Sequence, residues 1–263
     1  MKIFKLIIIV AFNVSIAFGQ EWQLIRTVQQ KNINQLSVDL GGRRIIKKAK
    51  GGVKKYSSDG SFLVEYAPIQ VADIHETVAL SQFKILLFYK DLQEVVILNR
   101  YLANPVRYRL SDYNLGYVEE VAPTFQPTLW IVDISDFSLK LIDFNNKRIL
   151  ERKSLAQVFD QSVADILAFH YHQNRMYVVD GSSGIHVFDN IGNYMTKLSS
   201  DAPSDIGFDK DYLYFEKNGI LKFVHLYQGE NMALPLEDIK FEKLKFVNKR
   251  LITITSDGFN IYK

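Results

Sequence analysis

The sequence of 263 residues contains no cysteine. This absence excludes disulfides, thiolate metal ligands, a cysteine nucleophile and a lipid-modified cysteine at a processed N-terminus. The fold must therefore be stabilised by its own hydrophobic core. The length is sufficient, because a chain of this size buries roughly 70% of the surface that its unfolded form exposes.

Long apolar segments are also lacking, except at the very start. The first twenty residues contain Lys2 and Lys5, an apolar run from Leu6 to Phe18, and small residues at Ala17 and Gly19. This order predicts a secretory signal peptide over residues 1–19, although cleavage after Gln20 remains an alternative. The run is shorter than the ~20 apolar residues that span a bilayer. We expect residues 20–263 to be a periplasmic or extracellular domain without a membrane span.

Positive charge is confined to one stretch of the sequence. The full chain has a net charge of +3, and removal of the first nineteen residues leaves 30 basic against 29 acidic residues. Seven of the basic residues lie between Arg43 and Lys55. The remainder is acidic on balance, so a nucleic-acid partner is not expected.

Short β-branched and aromatic runs recur along the chain, separated by clusters of Gly, Asn, Asp and Ser. The segment "NRMYVVDGSSGIHVFDNIGNYMTKL" contains three such runs joined by two tight turns, and similar segments recur every 36 to 46 residues. A repeat of about 40 residues with four strands is typical of a β-propeller blade. A further apolar run in front of each segment supplies the innermost strand, and these runs are 36–40, 77–81, 118–122, 166–169, 205–208 and 243–247.

The sequence therefore predicts an all-β fold, a single six-bladed β-propeller of four-stranded antiparallel blades. The sixth segment lacks its outer strand, and the run from Glu21 to Gln29 has strand composition but no neighbouring partner. We expect this N-terminal strand to close the last blade, because an unpaired sheet edge is a liability. A helical turn is expected within Ser154–Ser162. Five or seven blades, or an open sandwich, are the alternatives.

The pattern resembles six-bladed propellers of the NHL and YWTD-like kind over the whole exported domain. The turn pairs "VVDGSSGIHVFD" and "VKKYSSDGSFLVEY" carry this resemblance. The sequence has no YWTD tetrapeptide and no repeated Gly-His and Trp-Asp pairs. The resemblance therefore implies a fold and transfers no ligand.

Histidines provide the candidate metal and pocket residues. His170 and His172 are two apart on a predicted strand, so both rings face one side and form a candidate metal pair. A metal site would also need a third ligand, such as His75, His186 or Asp165. His75 also precedes the innermost strand of blade two, where we expect it to face the central pocket as a binding or catalytic residue. Ordinary polar residues at a strand end are the alternative.

Acidic residues recur after the second strand of several blades, namely Asp91, Asp133, Asp180 and Asp257. They suggest either carboxylates converging on a channel or aspartates that bind turn amides, and local turn chemistry favours the second interpretation. Lys47 and Lys48 replace the apolar strand end and turn acid of blade four, Val179 and Asp180, and Lys50 follows them in the same turn. They are candidate binding residues for an anion or an acidic partner, with a solvated surface as the alternative.

Two functions follow from these features. The sequence carries no phosphate loop, nucleotide fingerprint or Gly-x-Ser-x-Gly elbow, which favours a non-catalytic propeller without a cofactor. Such a protein would be an interaction scaffold or accessory subunit that binds a protein partner in the cell envelope. The alternative is a lactonase- or lyase-like enzyme or small-ligand binder that uses calcium or zinc. Whether the protein is an enzyme is left open.

Overall fold

The computed structural model describes residues 22–39, 43–48, 52–68, 72–81, 83–124, 127–228 and 231–263. At residues 44, 47 and 48 it describes the backbone alone. The predicted signal peptide, residues 1–19, lies outside the described residues.

Within the described residues, the chain forms six four-stranded antiparallel sheets, which are the predicted blades. Blade one contains β2 (Ile33–Val38), β3 (Arg44–Lys48), β4 (Val53–Tyr56) and β5 (Phe62–Tyr66). Blade two contains β6 (Glu76–Ala79), β7 (Lys84–Tyr89), β8 (Glu94–Asn99) and β9 (Val106–Arg109). Blade three contains β10 (Val118–Pro123), β11 (Thr128–Asp133), β12 (Ser138–Asp143) and β13 (Arg148–Ser154).

The second half repeats this arrangement. Blade four contains β14 (Ile166–His172), β15 (Arg175–Asp180), β16 (Gly184–Asp189) and β17 (Tyr194–Ser199). Blade five contains β18 (Gly207–Asp209), β19 (Tyr212–Lys217), β20 (Ile220–His225) and β21 (Asn231–Pro235). Blade six contains β22 (Lys243–Val247), β23 (Arg250–Thr255), β24 (Gly258–Tyr262) and β1 (Leu24–Gln29). The predicted six-bladed fold is confirmed.

The hydrophobic core lies between the blades. Second strands such as β7 and β11 are apolar on both faces and almost wholly buried, because each blade is covered by a neighbour on either side. The buried apolar side chains form six clusters, and each joins two adjacent blades, including blades one and six. Removing these surfaces from water is the main stabilising contribution to the ring.

The N-terminal strand closes the ring as predicted. β1 pairs with β24 from Leu24 opposite Tyr262 to Gln29 opposite Gly258. The pairing extends to the C-terminus, where Gln23 and Lys263 exchange two backbone hydrogen bonds of 3.0 Å. Blade six is therefore built from both ends of the chain.

Differences from the sequence prediction concern the ends of strands. β2 begins at Ile33, three residues before the predicted 36–40 run, because the polar pair Asn34 and Gln35 interrupts the apolar pattern. β14 continues through His172 rather than ending at Phe169. A single 3-10 turn, Leu155–Gln157, occupies the region where a helical turn was expected.

Candidate functional site

A cavity of about 350 Å³ lies on the axis of the ring. Its walls include residues from the innermost strand, or the loop leading into it, of all six blades. The ionisable or amide side chains on the six innermost segments are Gln35, His75, Glu76, Glu120, His170, Asp205, Glu242, Lys243 and Lys245. We call this cavity the central channel. It is large enough for a small organic ligand.

β-bulges position two of these side chains. The register between the innermost and second strands shifts between Ile33 and Gln35 in blade one, and between Val118 and Glu120 in blade three. A bulge inserts one unpaired residue and changes the direction of the side chains that follow. In both blades the residue directly after the extra one lines the channel, so the bulges position Gln35 and Glu120 there.

His75 forms a pair with a buried carboxylate. Its Nε2 lies 2.7 Å from Oε1 of Glu120, which is 7% exposed. The edge of the imidazole packs against Phe88 at 5.8 Å between ring centroids. A carboxylate that binds one ring nitrogen fixes the orientation of the imidazole. The prediction that His75 faces the central pocket is consistent with this position, whereas its role is untested.

His170, Asp205 and Lys245 form a second group across three blades. Nε2 of His170 lies 3.0 Å from Oδ1 of Asp205, and Nζ of Lys245 lies 2.6 Å from Oδ2. Burial opposes ionisation of Asp205, but the positive Lys245 and the His170 contact outweigh it and hold the pKa of this carboxyl well below its usual range. Burial likewise disfavours the charged form of Lys245, yet the Asp205 carboxylate raises its pKa above the ordinary value.

Glu76 lies in a different electrostatic environment. Its Oε2 accepts a hydrogen bond of 2.6 Å from Nε2 of Gln35. Burial raises the pKa of Glu76, and the negative charges of Asp205 and Glu120 raise it further, against the opposing effect of His170 and Lys245. The channel thus contains one carboxyl group whose pKa is lowered, Asp205, and another whose pKa is raised, Glu76.

The two histidines of the predicted metal pair have different partners. His170 contacts Asp205 in the channel, whereas Nε2 of His172 lies 2.8 Å from the carbonyl oxygen of Lys210. The His172 ring stacks on Phe208 at 4.3 Å, and burial lowers the pKa of His172. Within the described part of the chain, no group of three or more His, Asp and Glu side chains is arranged to hold a metal ion.

The other suggested ligands lie elsewhere in blade four. Nε2 of His186 lies 2.8 Å from Oγ of Ser183, in the turn before β16. The backbone N–H of Asp165 donates to Oδ1 of Asp180 at 2.7 Å. The metal prediction for His170 and His172 therefore stays a prediction.

The basic stretch is divided among several places. The backbone places Lys47 and Lys48 at the end of β3, where Lys48 is opposite Ile33 at the start of the innermost strand. Lys50 lies outside the described residues. Lys54 donates to Gln30 Oε1 at 2.7 Å, and the buried Lys55 donates to the carbonyl oxygen of Arg100 at 3.0 Å. Anion binding by Lys47, Lys48 and Lys50 remains untested.

The turn aspartates connect loops within a blade. Asp133 accepts hydrogen bonds from the backbone N–H groups of Ser135 at 3.0 Å and of Gly116 at 2.7 Å. Gly116 precedes the innermost strand of its blade, as Asp165 does in blade four. The carboxylates of Asp133 and Asp180 each accept a backbone hydrogen bond from the loop that leads into the innermost strand. They therefore join the end of the second strand to that loop, in addition to binding amides of their own turn.

Sequence reasoning did not find most of the channel. Glu76, Glu120 and Lys245 lie within predicted or adjacent innermost strands, but a short polar-apolar run does not say which face lines the axis. The bulges before Gln35 and Glu120 leave no sequence signal of their own. One feature of the sequence could have indicated the channel: in several blades, ionisable residues stand at or just before the start of the innermost strand.

The arrangement defines a class of protein: the chain is a six-bladed β-propeller with ionisable side chains in its central channel. No protein-family model and no curated protein sequence matches it. Among solved structures, BamB from Moraxella catarrhalis is similar, with a TM-score of 0.51 and 12% identity over 87% of this chain and 81% of that one. A streptogramin B lyase has a TM-score of 0.58 and 11% identity, with coverage of 92% and 86%. At such identities the likeness shows the fold alone.

Proposed function

We propose that this protein binds a small polar molecule in the central channel. The observation that supports this most strongly is the convergence of hydrogen-bonding and ionisable side chains from different blades on one cavity. A structural core would be filled with apolar side chains, because burying polar groups without compensation is costly. The channel instead holds His75 with Glu120, and His170 with Asp205 and Lys245, around an open volume.

The same groups can transfer protons to or from a bound molecule. An imidazole oriented by a carboxylate is a common arrangement for general acid and base chemistry, and burial raises the pKa of the neighbouring Glu76. This chemistry fits the lyase- or lactonase-like alternative more directly than a purely structural ring. One of the similar folds carries the name of a lyase, which supports the possibility at the level of the fold.

The experiment is a fragment screen followed by amide NMR spectroscopy. A panel of small cationic, anionic and neutral fragments is added to isotope-labelled protein, and shifts are mapped onto the sequence. We expect fragments to perturb amides of the innermost strands, including those of Gln35, Glu76, His170 and Lys245. A panel that perturbs only outer strands, or nothing, would contradict the proposal.

A second function, the predicted interaction scaffold, is favoured by the outer surface. Every outer strand carries at least one large apolar side chain that is exposed: Leu24, Ile25, Phe62, Leu63, Val106, Leu150, Tyr194, Met195 and Met232. Ile220 is also exposed, on β20 beside the outer strand of blade five. These side chains, which lie along the outer strands of all six blades, form the candidate contact surface. The predicted export belongs to this proposal, and no helix in the described residues is long and apolar enough to cross a membrane.

Crosslinking in the native cell tests the scaffold function. A photoreactive residue placed at position 63 on the outer strand of blade one should give a reproducible adduct with an envelope protein, whereas one placed at exposed position 237 should not. Recovery of the chain in the cytoplasmic fraction with residues 1–19 attached would contradict the predicted export.

A further inference from the structure

The lining of the central channel is acidic on balance. Two lysines face five carboxylates, so the formal charge is −3 while the histidines are neutral; the carboxylates are those of Glu76, Glu120, Asp205, Glu216 and Glu242. In an enclosed cavity, charge is screened less than on an open surface. The channel therefore attracts positive charge.

Three of the basic side chains that line the channel contact acidic partners. Lys245 binds Oδ2 of Asp205 at 2.6 Å, while His170 contacts Oδ1. His75 contacts Glu120 at 2.7 Å. Glu76, by contrast, receives a hydrogen bond from the neutral amide of Gln35.

Glu76 is therefore a carboxylate in the channel beside which an added cation would be stabilised. Burial and the carboxylates of Asp205 and Glu120 raise its pKa, and the nearby His170 and Lys245 do not reverse this shift. A positive group beside Glu76 would favour the ionised form, since opposite charges at close range lower the pKa of an acid. The free energy of that interaction would contribute to ligand affinity.

The other walls of the channel are apolar and partly aromatic. Phe169, Phe215 and Phe241 line the cavity together with Leu36, Leu244 and Ile254. Such walls bind hydrocarbon, and aromatic faces also attract cations. An inorganic ion alone would leave these surfaces unfilled.

We propose that the channel selects a small organic cation, with an apolar body and a primary ammonium group that pairs with the Glu76 carboxylate. This inference rests on the proposed function and deepens it. Since Glu76 must be ionised to pair, affinity should rise with pH as Glu76 loses its proton. The other titratable groups that line the channel are His75, Glu120, His170, Asp205, Tyr214, Glu216, Glu242, Lys243 and Lys245.

The test uses three probes of similar size and different charge. Benzylamine, benzyl alcohol and benzoate are titrated into the protein by isothermal titration calorimetry, at low and high salt and at roughly pH 5 to 8, where a primary alkyl amine stays protonated. We expect benzylamine to bind at least about tenfold more tightly than benzyl alcohol, and benzoate to bind more weakly than either. High salt should weaken benzylamine binding alone.

Paired variants identify the carboxylate. Glu76→Gln should weaken benzylamine binding about tenfold or more and abolish its pH dependence, whereas Glu237→Gln, the same change at an exposed position outside the channel lining, should leave both unchanged. Glu76→Gln should also raise the melting temperature at pH 7, since it removes a half-buried acid with a raised pKa. That result shows that the variant folds.

The outcomes separate the two proposals. Benzoate binding in the channel as tightly as benzylamine, or full benzylamine affinity in Glu76→Gln, would overturn the cation inference and leave channel binding intact. If no probe binds and the fragment panel also leaves the innermost strands unperturbed, both proposals fail.

Discussion

Closure of the ring by the N-terminal strand depends on a glycine. A Cβ at Gly258 would lie 1.9 Å from the carbonyl oxygen of Val28 and 3.0 Å from the amide nitrogen of Gln30. Both are backbone atoms of the closing segment, so no rotamer change can relieve the clash. Gly258→Ala should therefore push this end of β1 away from β24, breaking the 2.9 Å hydrogen bond from Gln30 N–H to the Asp257 carbonyl and the adjacent ladder bonds.

The magnitude follows from those contacts. Two or three hydrogen bonds at about 1 kcal/mol each give a loss of about 2–3 kcal/mol. For a chain of this length that corresponds to a fall of about 5–10 °C in melting temperature. The assay is thermal unfolding by circular dichroism. Thr27→Ala is the control, because it removes only the exposed 2.8 Å hydrogen bond to Asn260 from the same strand pair. If Gly258→Ala costs no more than Thr27→Ala, the pairing of β1 with β24 is wrong.

Three further predictions concern two buried polar groups, Lys140 and Tyr214, and one channel carboxylate, Asp205. Lys140→Met leaves the fully buried Asp133 without its 2.6 Å ammonium partner and should lower the free energy of unfolding by about 3–5 kcal/mol in urea; a loss below about 1 kcal/mol would contradict this. Tyr214→Phe removes the acceptor of the 2.9 Å hydrogen bond from Phe246 N–H and should cost about 1–3 kcal/mol, and an unchanged urea midpoint would refute it. Asp205 has a lowered pKa in the folded protein, so its contribution to stability is complete above its ordinary pKa of 3.8 and is lost as the pH falls further. Asp205→Asn should flatten the acid limb of a plot of melting temperature against pH, and an unaltered limb would show that Asp205 does not contribute.

The fold could be predicted in detail because its information is local and repeated. Second strands such as "KILLFY" and "RMYVVD" are apolar on both faces, which is the pattern of a blade covered on two sides. Six such segments at similar spacing specify the ring, and the unpaired strand composition of β1 specifies its closure. The apolar pattern did not predict strand ends that are polar. At Asn34 and Gln35, for example, the strand continues although the residues are no longer apolar.

The site was less predictable for a related reason. Channel residues are brought together by the ring from positions about 40 residues apart, and no motif links His75 to Glu120 or Asp205 to Lys245. Whether a side chain of an innermost strand points to the channel or to a neighbouring blade depends on β-bulges. A bulge inserts one residue and has no characteristic sequence. His75 and His170 could be found because histidines are rare, whereas Glu76 is one acidic residue among 29 acids.

The most direct test of the central claim is a crystal structure of the protein soaked with benzylamine at neutral pH. We expect the molecule in the central channel, with its ring against the aromatic wall and its ammonium nitrogen about 2.7–2.9 Å from an oxygen of Glu76. Benzylamine bound only outside the channel, or a channel occupied by benzoate in the parallel soak and not by benzylamine, would contradict the account.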